Sequence, residues 1–167
     1  VIGYNTGAMQ NVTCQATVTG SVNYVGGVIG YNTATLKNIT FSGDVTGNGN
    51  YVGGIVGNNT AVLENLNFTG NVVGGGNYVG GAIGYTTGNM NYVYTQGTVN
   101  GKSSYVGGVI GANSAKIQNV NNKATVTGSN TSSGSAVGGV IGQNLTGANA
   151  FNLVNSGNVS AAKYDAV

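Results

Sequence analysis

The chain of 167 residues contains no histidine, arginine, proline or tryptophan, and charged residues make up only 5% of it. Without histidine, neither a Ser-His-Asp nor a Cys-His catalytic site can form. The three carboxylates, Asp44, Glu64 and Asp165, are far apart in the sequence. This spacing predicts neither a paired-carboxylate site nor a metal centre. We therefore expect no enzymatic activity, no cofactor and no bound metal.

Several other features are equally scarce. The five lysines are scattered and the net charge is +2, so no basic patch predicts nucleic-acid binding. No apolar run has the length of a membrane span. A single cysteine, Cys14, excludes an internal disulfide, and we expect it to be a small buried hydrophobic residue.

A repeated phrase dominates what remains. Tyr-Val-Gly-Gly, followed by two apolar residues and a glycine, starts at Tyr24, Tyr51, Tyr78 and Tyr105, at a spacing of 27 residues. A last copy without the tyrosine starts 31 residues later, at Ala136. A fixed period of this size predicts a repeat architecture.

Each unit contains the Gly-rich phrase, a polar corner, a second strand and a short third strand. One such unit cannot bury its own apolar residues, but stacked units can. We predict an all-β parallel β-solenoid (β-helix) of about six coils of roughly 27 residues, with three faces per coil. We expect a single repeat domain over residues 1–167, as a segment of a longer chain. Its coils lie approximately at 1–23, 24–50, 51–77, 78–104, 105–135 and 136–161, with a tail at 162–167 outside the repeat pattern.

Alternation along the strands predicts which side chains point inward. In the second and third strands these are Ile39, Phe41, Val45 and their equivalents. In later units the phenylalanine position holds Thr95, Asn122 and Asn155. Either the cross-section changes there, or these polar side chains bond to one another inside. The extra residues of the fifth unit, 129–135, are expected in a corner loop.

The same alternation, applied to the Gly-rich phrase, places Val25 and Ile29 inside and Tyr24 and Val28 outside. Glycines between the outward side chains predict a flat, uncharged contact face. The residues of this predicted face are Tyr24, Tyr51, Tyr78, Tyr105, Val28, Ile55, Val109 and Val140, with Ala82 completing the second row. Neighbouring parts of the same protein, another copy of the chain, or a glycan could cover it.

Asparagines recur at two positions of the unit. Stacked amides bond to one another along the axis, so we predict two structural ladders, with a ligand site as the alternative. The first ladder comprises Asn5, Asn32, Asn59, Asn113 and Asn144, and the second comprises Asn11, Asn38, Asn65, Asn119 and Asn152. Sequons for N-glycosylation occur at Asn11, Asn38, Asn58, Asn67, Asn130, Asn144 and Asn158.

The unit resembles the GLUG-motif repeat. The resemblance rests on the Gly-Gly phrase, the Tyr31-Asn32 corner, a following apolar residue and asparagine, and the Gly-x-Val-x-Gly ending at Gly43–Gly47. It covers the chain up to about Ala161, although Val28, Ile55 and Ala82 stand where the family usually has leucine. The resemblance implies a module of secreted or surface-anchored proteins, including adhesin-like proteins and bacterial immunoglobulin A peptidases, in which a separate domain is catalytic.

Our leading hypothesis is a non-enzymatic, extracellular or cell-surface structural or adhesive module. It would associate with itself, axially through open coil ends or laterally through the tyrosine face, or pack on flanking domains of the same chain. The alternative is an adhesin module that binds a carbohydrate or a host surface protein. Ice binding by Thr-x-Thr arrays such as Thr17–Thr19 is the third hypothesis. No nucleic acid and no membrane span are expected.

Overall fold

The computed structural model describes residues 1–102, 104–162 and 165–166, the last two as backbone only. These residues form parallel strands in a repeating order, and the fold is the predicted parallel β-solenoid with turns of about 27 residues. In chain order the strands are β1 (Ile2–Asn5), β2 (Met9–Gln15), β3 (Val18–Gly20), β4 (Val25–Gly26), β5 (Ile29–Asn32), β6 (Leu36–Ser42), β7 (Val45–Gly47), β8 (Val52–Gly53), β9 (Val56–Asn59), β10 (Leu63–Gly74), β11 (Val79–Gly80), β12 (Ile83–Thr86), β13 (Met90–Gly101), β14 (Tyr105–Gly107), β15 (Ile110–Asn113), β16 (Lys116–Asn122), β17 (Thr125–Gly128), β18 (Ala136–Gly138), β19 (Ile141–Asn144), β20 (Asn149–Asn155), β21 (Val159–Ala161) and β22 (Asp165–Ala166).

Three parallel sheets form the three faces. Sheet A has the order β1-β5-β9-β12-β15-β19, and sheet C has the order β4-β8-β11-β14-β18-β22. Sheet B is the widest, because the second and third strands of each unit both belong to it and run together as one strand in β10 and in β13. Neighbouring strands pair one unit apart, so that Ile29 lies beside Val56 and Phe41 beside Phe68.

The Gly-rich phrase, predicted as a single strand, forms two strands. Val25–Gly26 belongs to sheet C and the chain then bends at Gly27–Val28 before Ile29–Asn32 enters sheet A. The bend requires glycine. A methyl group on Gly27 would overlap the Gly54 carbonyl oxygen and lie 2.7 Å from the Phe41 ring.

This bend corrects the predicted contact face. The alternation of inward and outward side chains does not continue through a corner. Val28, which follows Gly27, therefore points inward, as Ile29 also does. Val28, Ile55, Ala82, Val109 and Val140 are all buried in the core, at most 8% exposed. The prediction that the apolar row lies on the outer surface was therefore wrong.

The other inward positions are as predicted. Val25, Ile29, Ile39, Phe41 and Val45 are buried. The Phe41 and Phe68 rings stack inside the solenoid with centroids 6.1 Å apart and planes 3° from parallel. Cys14, at the same position of the first unit, is a free, half-buried thiol packed against the core.

Farther along the solenoid the interior becomes polar, and the side chains bond to one another. Thr95 Oγ1 donates to Asn122 Oδ1 at 2.7 Å, and Asn122 Nδ2 donates to Asn155 Oδ1 at 2.8 Å. Asn122 also accepts from the Ala124 amide and donates to its carbonyl. Of the two alternatives left by the sequence, internal bonding is the one observed.

Extra residues lie outside the stack. Residues 129–135 form the expected corner loop between β17 and β18. A second, shorter insertion occupies the corner at 145–148, between β19 and β20. In the tail, Asp165–Ala166 pairs with Val137–Gly138 as a further strand of sheet C. The tail residues Lys163 and Tyr164 lie outside the described residues.

Candidate functional site

The predicted tyrosine row is real and lies where the chain enters sheet C. The rings of Tyr24, Tyr51, Tyr78 and Tyr105 stack face to face, with successive centroids 5.1, 5.1 and 5.5 Å apart. Tyr24 is 40% exposed, and the other three are half-buried. Because the facing surfaces of successive rings cover one another, the row presents mainly ring edges and hydroxyl groups to solvent along its length.

A second column of tyrosines packs beside the first and was missed in the sequence. It belongs to sheet A, where Tyr4 stacks on Tyr31 at 5.3 Å and Tyr85 lies two positions beyond Tyr31, with Asn58 between them. Tyr31 meets Tyr24 edge-on at 5.4 Å, and Tyr85 lies 5.9 Å from Tyr51. The sequence does contain a signal for this column, because Tyr4, Tyr31 and Tyr85 each directly follow the last glycine of the repeated phrase. We call the two columns together the tyrosine ridge.

The backbone fixes the first column. Tyr24, Tyr51 and Tyr78 all have φ of 62–64°, a left-handed conformation that is uncommon for a bulky side chain. The asparagine before each of the first two accepts a hydrogen bond from the next turn: Asn23 Oδ1 from the Asn50 amide and Asn50 Oδ1 from the Asn77 amide, both at 2.8 Å. Side-chain bonding along the axis thus holds the turn that aims the tyrosines outward.

The ridge alters the titration of its central residue. Burial raises the pKa of the Tyr51 hydroxyl, and repulsion from the hydroxyls of Tyr78, Tyr24 and Tyr85 raises this pKa further. Ionised phenolates would repel one another in so close a stack. The ridge is therefore built for neutral tyrosines.

The first asparagine row forms a buried ladder. Asn5 Nδ2 donates to Asn32 Oδ1 and Asn32 Nδ2 donates to Asn59 Oδ1, both at 2.8 Å. Thr86 continues the row by accepting from Asn59 at 3.0 Å, and the last pair, Asn113 and Asn144, bonds at 2.9 Å. Four of these amides also donate to the corner carbonyl two residues later: those of Asn5, Asn32, Asn59 and Asn113. These bonds support the structural interpretation.

The second row forms a ladder on the outer face of sheet B. Asn38 donates to Asn11 at 2.8 Å, Asn65 to Asn38 at 2.9 Å and Asn152 to Asn119 at 3.0 Å. All five asparagines have φ of 51–57°, and asparagine tolerates this conformation better than most residues. The ladder stops at Tyr92, which has the same φ of 56°.

The sequon asparagines are not equally accessible. Asn11, Asn67, Asn144 and Asn158 are exposed, whereas Asn38, Asn58 and Asn130 are half-buried. The side-chain oxygen of Asn58, which lies in register between Tyr31 and Tyr85, is buried and has no hydrogen-bond donor in the described part of the chain.

Charged groups are few and superficial. Lys37 and Glu64 form an exposed ion pair at 3.2 Å on sheet B, and Asp44 accepts from the Asn71 amide group at 2.9 Å. Within the described residues no helix long and apolar enough to cross a membrane is present.

A known family model matches two of the turns described above. The family model described as the GLUG motif fits residues 21–46 and 48–73. The chain carries the GLUG motif. Each GLUG match spans one turn, from the tyrosine corner through sheets C and A into sheet B. The turn after the second match pairs with it in register and has Thr86, Tyr92 and Thr95 at the positions of Asn59, Asn65 and Phe68.

No curated protein and no solved structure matched the chain significantly. The two matches to the family model confirm the predicted resemblance to the GLUG-motif repeat.

Proposed function

We propose that this chain is a non-enzymatic extracellular structural or adhesive module that self-associates laterally through the tyrosine ridge. The observation that carries the proposal is the ridge itself: seven tyrosines in two packed columns on a rigid scaffold. Tyrosine is enriched at protein interfaces because it combines a large apolar area with a polar tip. The extracellular location is supported by the resemblance to repeats of secreted and surface-anchored proteins.

The shape of the ridge suits a partner with the same ridge. Ring edges and hydroxyls spaced about 5 Å apart repeat along the axis, and a second copy presents the same spacing. The two columns contain no charged residue, so two copies meet there without like-charge repulsion. Lys102, three residues before Tyr105, brings a charge into a neighbouring turn.

The interior burial of Val28 and its equivalents changes the proposed contact. The surface is not a flat Tyr/Val/Gly stripe but a line of phenol edges, in which hydroxyl groups exchange hydrogen bonds and ring edges supply apolar area. Each turn contributes less binding energy to such a contact than it would to a contact between apolar faces. The contact becomes stronger because every turn of the ridge repeats it along the axis.

Sedimentation velocity and electron microscopy of the purified chain over a range of concentrations test the proposal. We expect dimers or laterally associated rods, and a triple variant, Tyr24→Asn, Tyr51→Asn and Tyr78→Asn, should be monomeric. Asparagine is chosen because this chain already uses it at the same φ. The matched control is Tyr92→Asn on another face, which should associate like the parent.

Three outcomes are informative. Discrete monomers of the parent chain at high concentration would contradict the proposal. End-to-end filaments that persist in the triple variant would favour axial stacking instead. Binding of the chain to a host surface protein, lost in the triple variant while the parent stays monomeric, would favour the adhesin alternative.

A further inference from the structure

A groove on the outer face of sheet B lies away from the tyrosine ridge. It has a volume of about 270 Å³ and is lined by three successive turns. The lining residues are Asn65, Leu66, Asn67, Tyr92, Val93, Tyr94, Asn119 and Asn121. Aromatic rings and amides without any charged group are a lining for a neutral, hydroxyl-rich ligand, because amides both donate to and accept from hydroxyls.

Tyr92 gives the groove its character. The other five turns place asparagine at this position, and Tyr92 interrupts their ladder while keeping the left-handed φ. Its side chain is 57% exposed, and among the described residues it makes no ring contact. Its face is thus free for stacking, unlike the rings of the tyrosine ridge. A strained backbone that gives up a ladder bond to expose an aromatic ring is a sign of function.

The interruption also leaves polar atoms open beside the ring. Asn65 Oδ1 would accept from the next asparagine of the ladder, but Tyr92 supplies no amide, so within the described chain this oxygen has no donor. Asn121 Oδ1 is buried and likewise has no donor among the described residues. A ligand hydroxyl that donates to either atom replaces the missing hydrogen bond, in the case of Asn121 after a small rotation of the amide.

The remaining aromatic side chain is held in place. The Tyr94 hydroxyl donates to Gln96 Oε1 at 2.8 Å, and Lys123 Nζ lies 5.7 Å from the Tyr94 ring centroid. Tyr94 therefore forms a fixed wall of the groove, while Tyr92 offers the open ring.

A second depression of about 260 Å³ continues along the same three turns, three residues nearer the start of each strand. The polar residues of this depression are Asn89, Asn91 and Gln118 together with Glu64 and Lys116, whose opposite charges favour neither an anionic nor a cationic ligand. Three residues of extended chain span about 10 Å, which is the length of about two sugar rings. We propose that this face binds a neutral oligosaccharide, with one pyranose ring stacked on Tyr92 and its hydroxyls bonded to Asn65 and Asn121.

The proposal is independent of self-association through the tyrosine ridge. The test is binding of the full chain to an array of neutral oligosaccharides built on glucose, mannose, galactose or N-acetylglucosamine, with sialylated and uronic-acid glycans on the same array. Affinities for the glycans that bind are then measured by titration calorimetry. We expect binding to neutral oligosaccharides and a loss of about tenfold in affinity for Tyr92→Asn, the effect of one lost aromatic contact.

Tyr92→Asn is a favourable variant for folding, because it restores the residue that the other turns have at this position, and its melting temperature should be equal to or above that of the parent. A second variant, Asn67→Ala, removes an exposed amide of the lining and should also weaken binding. Tyr51→Asn on the tyrosine ridge is the matched control and should bind like the parent. Absence of binding to any neutral glycan, binding only to acidic glycans, or equal binding by Tyr92→Asn would overturn the proposal.

Discussion

The same interior position is apolar in one half of the solenoid and polar in the other. In the second and third turns it holds Phe41 and Phe68, stacked in parallel. In the fourth, fifth and sixth turns it holds Thr95, Asn122 and Asn155, joined by hydrogen bonds of 2.7 and 2.8 Å. The strand register is the same in both halves.

The difference shows what this fold requires of its interior. Both kinds of side chain face the corner glycine of the turn: a methyl group on Gly54 would overlap the Phe68 ring, and one on Gly108 would overlap the Asn122 amide. What the halves share is thus the corner glycine, against whose backbone the planar side chains of Phe68 and Asn122 pack. Burial of apolar area stabilises the interior in one half, and hydrogen bonds among Thr95, Asn122 and Asn155 stabilise it in the other.

The largest effect is expected from the feature that the halves share. Gly54→Ala and Gly108→Ala should each lower the free energy of unfolding by more than about 5 kcal/mol, because backbone carbonyl oxygens that cannot move aside block the new methyl group. Urea unfolding measures this loss. Gly7→Ala is the control, since a methyl group there meets nothing within 4 Å. If only one of the two corner variants were destabilised, the halves would not share one requirement.

In the apolar half, Phe68→Ala should cost about 3–5 kcal/mol, because it removes a fully buried ring and leaves a cavity. The same urea unfolding experiment measures the cost. Tyr92→Asn, on the exposed face of the same sheet, serves as a control for substitution of an aromatic residue. If the free energy of unfolding fell by less than about 1 kcal/mol, neighbouring side chains of the turn would have to fill the cavity that the ring leaves.

In the polar half, Asn122→Leu should cost about 2–3 kcal/mol, because the Ala124 amide and carbonyl are left without their partner in the core. Phe68→Leu is the matched apolar substitution in the other half and should cost less. Urea unfolding compares the two. A stabilised Asn122→Leu variant would show that apolar packing alone can stabilise this interior position in both halves of the solenoid.

The smallest effect concerns pH and should be confined to the turns that carry the tyrosine ridge. The raised pKa of Tyr51 means that the folded state favours the neutral phenol, so this stabilisation is present below the ordinary tyrosine pKa of about 10 and is lost as the pH rises above it. An ultraviolet absorbance titration should show Tyr51 ionising after an ordinary tyrosine, with Tyr51→Asn as the reference. Amide hydrogen exchange at alkaline pH should rise first near Tyr51. Equal destabilisation of the turns around Asn122 would contradict this expectation.

The sequence predicted the architecture and both asparagine ladders because period and residue type alone determine stacking in register. It did not predict the burial of Val28, because alternation was extended through Gly27, where the chain leaves one sheet for another. It could not distinguish a changed cross-section from an internal ladder at Asn122, since only the geometry of Thr95 and Asn155 decides this. Tyr92 visibly interrupts the periodic asparagines in the sequence, but the groove beside it is formed by residues of three turns together.

The two corner loops carry a practical consequence. The insertions at 129–135 and 145–148 lengthen the chain at two different corners, yet the strands that follow them return to register, with Val106 beside Val137 and Lys116 beside Asn149. Closing a longer loop adds little entropy cost once the sheets fix its ends. The solenoid therefore has the properties of a display scaffold, on which a foreign peptide grafted into either corner would be presented without change to the turns above and below it.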